Sequence, residues 1–195
     1  MTSHMAHRVP ARRAGSMLIL SLAASASACL AEAPQLDEPS VQGDYEDGDV
    51  YHRPGQPCVL CHGDGFFPIP PGEVVFEVGG TVYDGIADAE DDGLAGVEVE
   101  ITDDTGLVVT AMTNRAGNFM VSVDADRATG TQIKRGWVTV PASLVFPLRA
   151  RIRKDGEEQE MRTNVWRSGS CGHCHGPEPG VDSVGRVYLH EEVVP

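Results

Sequence analysis

Residues 74–84 read VVFEVGGTVYD, residues 96–103 GVEVEITD and residues 106–113 GLVVTAMT. Each is short, rich in β-branched residues and broadly alternating, as in strands that turn one face to a core. Four more segments share the texture: NFMVSVD at 118–124, GWVTVP at 136–141, LVFPLRARIRKDG at 144–156 and EEQEMRTNV at 157–165. Between the strands stand AEDDG, DDTG, NRAGN, DADRATGTQ and KDGE, whose Gly, Asn and Asp accept the backbone angles of tight turns. No helical period long enough to compete interrupts the series. Seven short strands at near-regular spacing predict a mainly β fold, a seven-stranded Greek-key β-sandwich over residues 73–165.

Part of this region carries a more specific pattern. Residues 79–123 hold Gly80, Val82, Gly93, Leu94, Gly96, Val97 and Val99, then Gly106, Thr113, Gly117, Asn118 and Phe119. On these residues the stretch resembles a carboxypeptidase regulatory-like (prealbumin-like) domain, with the likeness covering about 74–165. The resemblance implies the sandwich and is nearly silent on activity, because folds of this kind host many functions. Sugar binding occurs among related sandwiches, and Trp137 and Trp166 are the large stacking faces this chain offers for it.

The N-terminus reads as an export signal. Arg8, Arg12 and Arg13 precede the apolar run MLILSLAASA from Met17, which ends in the small residues before Cys29. A basic region, a short apolar region and an A-x-A-like exit predict a signal peptide over 1–28. The run is too short for a bilayer span, which needs about 20 apolar residues. Ala26-Ser27-Ala28-Cys29 resembles a bacterial lipobox, with Ala26 where Leu is usual. That likeness implies lipidation of Cys29, and the absence of an acid directly after it implies an outer-membrane or cell-surface address in a Gram-negative bacterium. Cleavage after Ala28 with Cys29 left as an odd thiol is the alternative. Residues 29–50 then form an acidic tether, broken by Pro34, Pro39, Gly43 and Gly48.

The formal charge of the whole chain is −14, and removing residues 1–28 takes away three arginines and no acid. Such a surface repels nucleic acid and anionic headgroups. Nucleic-acid binding is thereby excluded, and membrane attachment is expected through the lipid anchor only.

Chemistry concentrates at the two ends of the β region. Cys58-Val59-Leu60-Cys61-His62 lies in segment 51–72, and Cys171-Gly172-His173-Cys174-His175 lies in segment 166–195. Cys-x-x-Cys-His is the attachment pattern for haem c: two thiols one helical turn apart add to the porphyrin vinyl groups, and the following His ligates the iron. Two covalent haems are expected, with His62 and His175 as proximal ligands. His52 and His190 are candidate sixth ligands, each close in chain to its local motif, so both irons are expected to be bis-histidine and of low potential. Met112, Met120 and Met161 are the sulfur alternatives, with Met112 and Met120 assigned to the core. His173, boxed between two cysteines, is able only to reach the other centre. Two other readings of the cysteines stand beside this one: a four-thiolate zinc site joining both segments, and two disulfides that close short loops.

The whole chain resembles exported dihaem proteins with a regulatory-like β domain between two such segments. That resemblance implies electron transfer without enzymatic catalysis, with other cytochromes or copies of the same chain among its redox partners. An odd number of alternating strands would hold the two segments at opposite ends of a sandwich; an even number would bring them together. Asp84, Asp88 and the AEDDG stretch are a weak calcium candidate and read more simply as a solvated turn.

Overall fold

A computed structural model describes residues 50–63 and 74–190; the signal segment, Cys29, most of the tether and residues 64–73 lie outside the described residues. The fold is mainly β, with two sheets packed in a sandwich-like arrangement. Nine strands are present among the described residues: β1 Phe76–Tyr83, β2 Glu98–Thr102, β3 Val108–Met112, β4 Asn118–Val123, β5 Thr131–Lys134, β6 Trp137–Val140, β7 Arg149–Lys154, β8 Glu157–Glu160 and β9 Val187–Tyr188. Seven of these fall inside the seven expected segments. The count of seven is corrected by β5, which lies partly in the DADRATGTQ turn, and by the two-residue β9. β5 is a partly exposed edge strand, and β9 is too short to leave a period-2 signal.

The larger sheet has the order β5-β6-β4-β1-β9 and the smaller β3-β2-β7-β8. The smaller sheet is antiparallel throughout. The larger contains two parallel pairs, β4 with β6 and β1 with β9. Alternation sets the core. Val99 and Ile101 of β2 and Val109 and Ala111 of β3 point inward, against Val78, Val82, Phe119 and Val121 of the other sheet. Met112, expected in the core, is instead 41% exposed, because it falls on the outward phase of β3. Outside the smaller sheet, Glu98 and Glu100 pair with Arg151 and Arg153 in a cross-strand charge ladder.

The two central strands of the larger sheet depart from alternation: β4 is buried on both faces for five residues, and β1 for six. Something covers their outer face. The cover is the pair of segments that flank the sandwich in sequence.

Candidate functional site

The first motif forms a single helical turn, α1, Cys58–His62, opened by a bond from Leu60 N to Pro57 O of 2.8 Å. Residues three apart share a helix face, which brings Cys58 and Cys61 to one side with His62 beside them. The turn packs on the outer face of β1 and beside β4. Between them lies a cleft of about 250 Å3, bounded by His52, Cys58, Cys61 and His62 and floored by Phe76, Met120 and Trp137. An aromatic row lines it. The His62 ring stands 4.8 Å from Phe76, which meets Trp137 edge-on at 5.5 Å. Trp137 is fixed in turn by donating its Nε1–H to Ser122 Oγ at 2.8 Å.

His52 comes to the same cleft, its ring centre 5.9 Å from that of His62 and the planes tilted by 56°. A small polar network holds it there. Asn118 Nδ2 donates to His52 O at 3.1 Å, and Asn114 Nδ2 donates to Val50 O at 2.7 Å. Thr81 Oγ1 donates to Asn118 Oδ1 at 2.6 Å and accepts from Gly55 N at 2.7 Å. Asn114, Asn118 and Thr81 are all buried. Asn114 also closes the turn into β4 by accepting from Ala116 N and Asn118 N. That turn needs Gly117, whose φ of +74° suits glycine and whose missing Cβ leaves room for Val82 O.

The second motif is likewise one turn, a 3-10 helix over Cys171–His173 continued by bonds from Cys174 N and His175 N to Cys171 O. It follows directly from Ser170, which bridges to Gly79 of β1. His175 places its Nδ1 2.9 Å from Gly185 O. Donation from Nδ1–H to that carbonyl fixes the tautomer and leaves the Nε2 lone pair able to accept a metal ion, the kind of supporting contact that a metal-binding His makes. Burial lowers the His175 pKa, favouring the neutral ring that a ligand requires. Ser183 Oγ shapes the supporting loop by accepting from Gly176 N and Gly185 N.

Both turns meet on β1. A Cβ placed on Gly79 would lie 3.0 Å from Cys58 Cβ, and one on Gly80 would lie 2.6 Å from Cys171 Cβ and 2.9 Å from its Sγ. A Cβ on Gly172 would lie 2.9 Å from Gly55 O and Gln56 O, so the second turn touches the chain entering the first. The expected separation by an odd strand count does not occur. The two parallel pairings break strict alternation, and the chain after β8 returns along β1 at Gly169–Ser170. Burial pushes the Cys58 thiol up to about 11. Burial, and then the nearby Cys58 charge, pushes the Cys171 thiol up to about 12. At neutral pH both are neutral, half-buried thiols.

Other expected residues are placed as follows. Cys58, Cys61 and Cys171 are free thiols, whereas Cys174 is disulfide-bonded. His190 lies beyond β9, where its Nδ1 meets Asp84 Oδ1 at 2.6 Å. Asp84 is four residues past Gly80, about 13 Å along an extended chain. The structure therefore brings His52 to its motif, and anchors His190 farther along β1 than Cys171. The turn that carries His173 lies against Gly55 and Gln56, at the junction of the two segments. Met120 lines the first cleft from below. Among the described residues no three His, Cys, Asp or Glu are grouped to hold one metal ion, either as a four-thiol set or around Asp84 and Asp88. Asp88 Oδ2 accepts instead from Asp84 N and Gly85 N.

The residues of the first cleft fit haem c in two respects. The first cleft is largely apolar and floored by aromatic rings. His52 and His62 border that cleft together, their ring centres 5.9 Å apart, so both imidazoles would be at hand for one iron. The disulfide at Cys174 does not fit, since a thioether there needs the thiol free. Sequence reasoning missed Asn114, Thr81, Ser183 and the Gly79–Gly80 pair; the doubled glycine inside a strand pattern was the available signal. Comparison of the chain with protein-family models, curated proteins and solved structures finds no match.

Proposed function

We propose that this chain is an exported electron-transfer protein that carries two covalent haems c, one at Cys58, Cys61 and His62 and one at Cys171, Cys174 and His175. The observation that carries the reading is His52 beside His62 in an apolar cleft edged by Cys58 and Cys61. A Cys-x-x-Cys-His turn with a second imidazole held across from it is the donor set of a six-coordinate haem. The haem would supply one-electron chemistry. The chain's part would be to hold the group through Cys58 and Cys61, ligate it with His62 and His52, and exclude water with Phe76, Met120 and Trp137. At the second centre His175 is oriented through Gly185 O, and His190 is the proposed partner ligand.

The finer parts of the reading belong here too. The sandwich is proposed to be of the Greek-key, prealbumin-like kind, a scaffold with no catalytic residues. Export, lipidation at Cys29 and a periplasmic or outer-surface location complete the proposal. The formal charge of −14 favours redox partners with basic faces, which such a surface would steer into contact.

A competing reading draws on the disulfide at Cys174 and on Trp166, which is 69% exposed. In it the chain is a non-redox surface module for adhesion or carbohydrate binding, and its cysteines serve as hooks or zinc ligands. One experiment separates the two: intact mass and a pyridine haemochrome spectrum of the full chain exported by a host able to attach haem c. The expected result is a mass gain of two haems, with one lost on Cys58→Ala/Cys61→Ala and one on Cys171→Ala/Cys174→Ala. Protein without haem from that host would overturn the electron-transfer reading.

A further inference from the structure

The smaller sheet has an outer face of its own, across the sandwich from α1, and its charges are unevenly matched. Strand register sets rows across it. Met112, Glu98, Arg153 and Glu158 make one row, and Thr110, Glu100, Arg151 and Glu160 the next. Within these rows Arg151 and Arg153 pair with Glu98, Glu100 and Glu158. The row after them holds Val108, Thr102 and Arg149, with no acid among them. Among the described residues Arg149 has no carboxylate in ion-pair reach, although it is exposed on the same face.

Beyond β8 the chain stays beside β7 but bulges. Met161 N donates to Ala150 O at 3.0 Å, and Leu148 and Val165 exchange both backbone bonds at 2.8 Å. Four steps from Met161 to Val165 therefore face two from Ala150 to Leu148. Bulges re-aim side chains where a ladder ends. This one sets Arg162 and Asn164, both exposed, opposite Arg149. Arg162 likewise has no carboxylate in ion-pair reach among the described residues. Like charges across strands destabilise a sheet, and the other two arginines of β7 avoid that by pairing with glutamates. Val165 packs on the core, so alternation turns Trp166 outward. It stands diagonal to Arg149, about 7–8 Å away along the backbone and within reach of long side chains. Its ring is left open, at 69% exposure.

We infer that Arg149, Arg162 and Trp166 form a binding site for a short acidic saccharide, sugar rings that bear carboxylate groups. The face of an indole is electron-rich and attracts the slightly positive C–H groups on the flat side of a sugar ring. A guanidinium offers a carboxylate two parallel N–H donors. Both features stand together on an open sheet surface, where a chain of rings lies flat. A docked protein fits less well, since a stable interface takes about 800 Å2 from each partner. The rows beside the site are ion pairs, whose charges are costly to strip of water. The formal charge of −14 opposes a long polyanion, but salt screens that opposition beyond about 8 Å, so a short oligomer held by local contacts escapes most of it. The site is independent of the haem reading and lies on a face that reading does not use.

The test is isothermal titration of the full chain with a short oligogalacturonate, beside its methyl ester, which keeps the rings and loses the charge. Saturable binding is expected, stronger for the acid than for the ester. Trp166→Ala and Arg149→Gln/Arg162→Gln should each weaken it about tenfold or more. All three positions are exposed, so Tm should hold in both variants, or rise in the arginine variant as the like charges are removed. No saturable binding, equal binding of acid and ester, or variants that bind as the wild type does would each overturn the site. A polyglutamate peptide of equal charge that binds as tightly would show an acidic polypeptide surface instead and overturn the saccharide assignment. Haem content, read by intact mass on the same samples, should not change in either variant, so the two readings stand or fall separately.

Discussion

Replacing Gly80 by Ala adds a single methyl group where the structure leaves no room. The new Cβ would lie 2.6 Å from Cys171 Cβ, 2.9 Å from Cys171 Sγ and 3.2 Å from Phe119 Cε1. Carbon atoms pack at about 3.5–4.0 Å, so Cys171 has to retreat by about 1 Å. It cannot do so freely, since the chain just before it is held by the Gly79 N to Gly169 O bond of 3.0 Å and by the Ser170 bridge. Overpacking of this kind costs about 1–3 kcal/mol. Against that, removing a glycine from a strand interior returns about 0.5–1 kcal/mol. The net expectation is a loss of about 1–2 kcal/mol, seen as a Tm about 3–8 °C lower for a domain of this size. Gly79→Ala is the internal comparison. Its Cβ would meet Cys58 Cβ at 3.0 Å and Sγ at 3.3 Å, a strain that a few tenths of an ångström relieve, so its two terms nearly cancel. Thermal unfolding followed by far-ultraviolet circular dichroism, with both variants in the same cysteine state as the wild type, measures the difference. A Gly80→Ala protein as stable as the wild type, or a Gly79→Ala protein less stable than Gly80→Ala, would refute the packing argument.

Two other outcomes follow from single side chains. Asn118→Ala removes the bond to His52 O and leaves Thr81 Oγ1 without its acceptor, at a cost of about 1–3 kcal/mol; in the haem-loaded chain one centre should also lose its six-coordinate low-spin spectrum, and an unchanged spectrum in a destabilised variant would detach His52 from the ligand role. Asp103 is buried, and although burial alone would raise its pKa, bonds from Thr105 Oγ1, Val145 N, Leu107 N and Thr105 N hold the carboxylate below its ordinary range. A depressed folded-state pKa contributes stability above the unfolded value of about 4 and loses it as pH falls through the folded value. Asp103→Ala should therefore cost about 3 kcal/mol at neutral pH and progressively less in urea titrations below pH of about 4, and a pH-independent difference would contradict this.

The strands were readable because they obey one period. EVEIT in β2 and VVTAM in β3 alternate as a half-buried sheet must, and their turns carry Gly and Asp where the backbone reverses. Met112 was misplaced because hydrophobicity and phase disagree there: a large apolar side chain occupies an outward position, and the phase prevails. β5 was missed since an edge strand needs no apolar face and TQIK shows none. The motifs themselves were plain in the sequence. What alternation could not convey was their meeting, which depends on the parallel β1–β9 pairing and on a return path along Gly169 and Ser170. His52 was legible only as a nearby imidazole; the Asn118 and Asn114 bonds that hold its segment are contacts across more than sixty residues of chain.

The burial of β1 and β4 on both faces connects these observations. A sandwich of this size leaves the outer face of its central strands to water, and the sequence would then place polar residues there. Here the outward positions of β4 are Asn118 and Met120, which bind or floor the segment 50–63, and Ser122, which holds Trp137; those of β1 include Gly79 and Thr81, which meet Cys58 and Gly55. The outer face is therefore a built surface whose polar groups are used up in positioning the first motif. The second motif joins it at the strand edge through Ser170 against Gly79, while Cys171 packs against Gly80 on the inner face. A β domain inserted merely to space two independent sites would need neither the paired glycines nor the Thr81–Asn118–Asn114 network. Their presence makes the sandwich a jig that fixes both Cys-x-x-Cys-His turns relative to one strand, and so relative to each other.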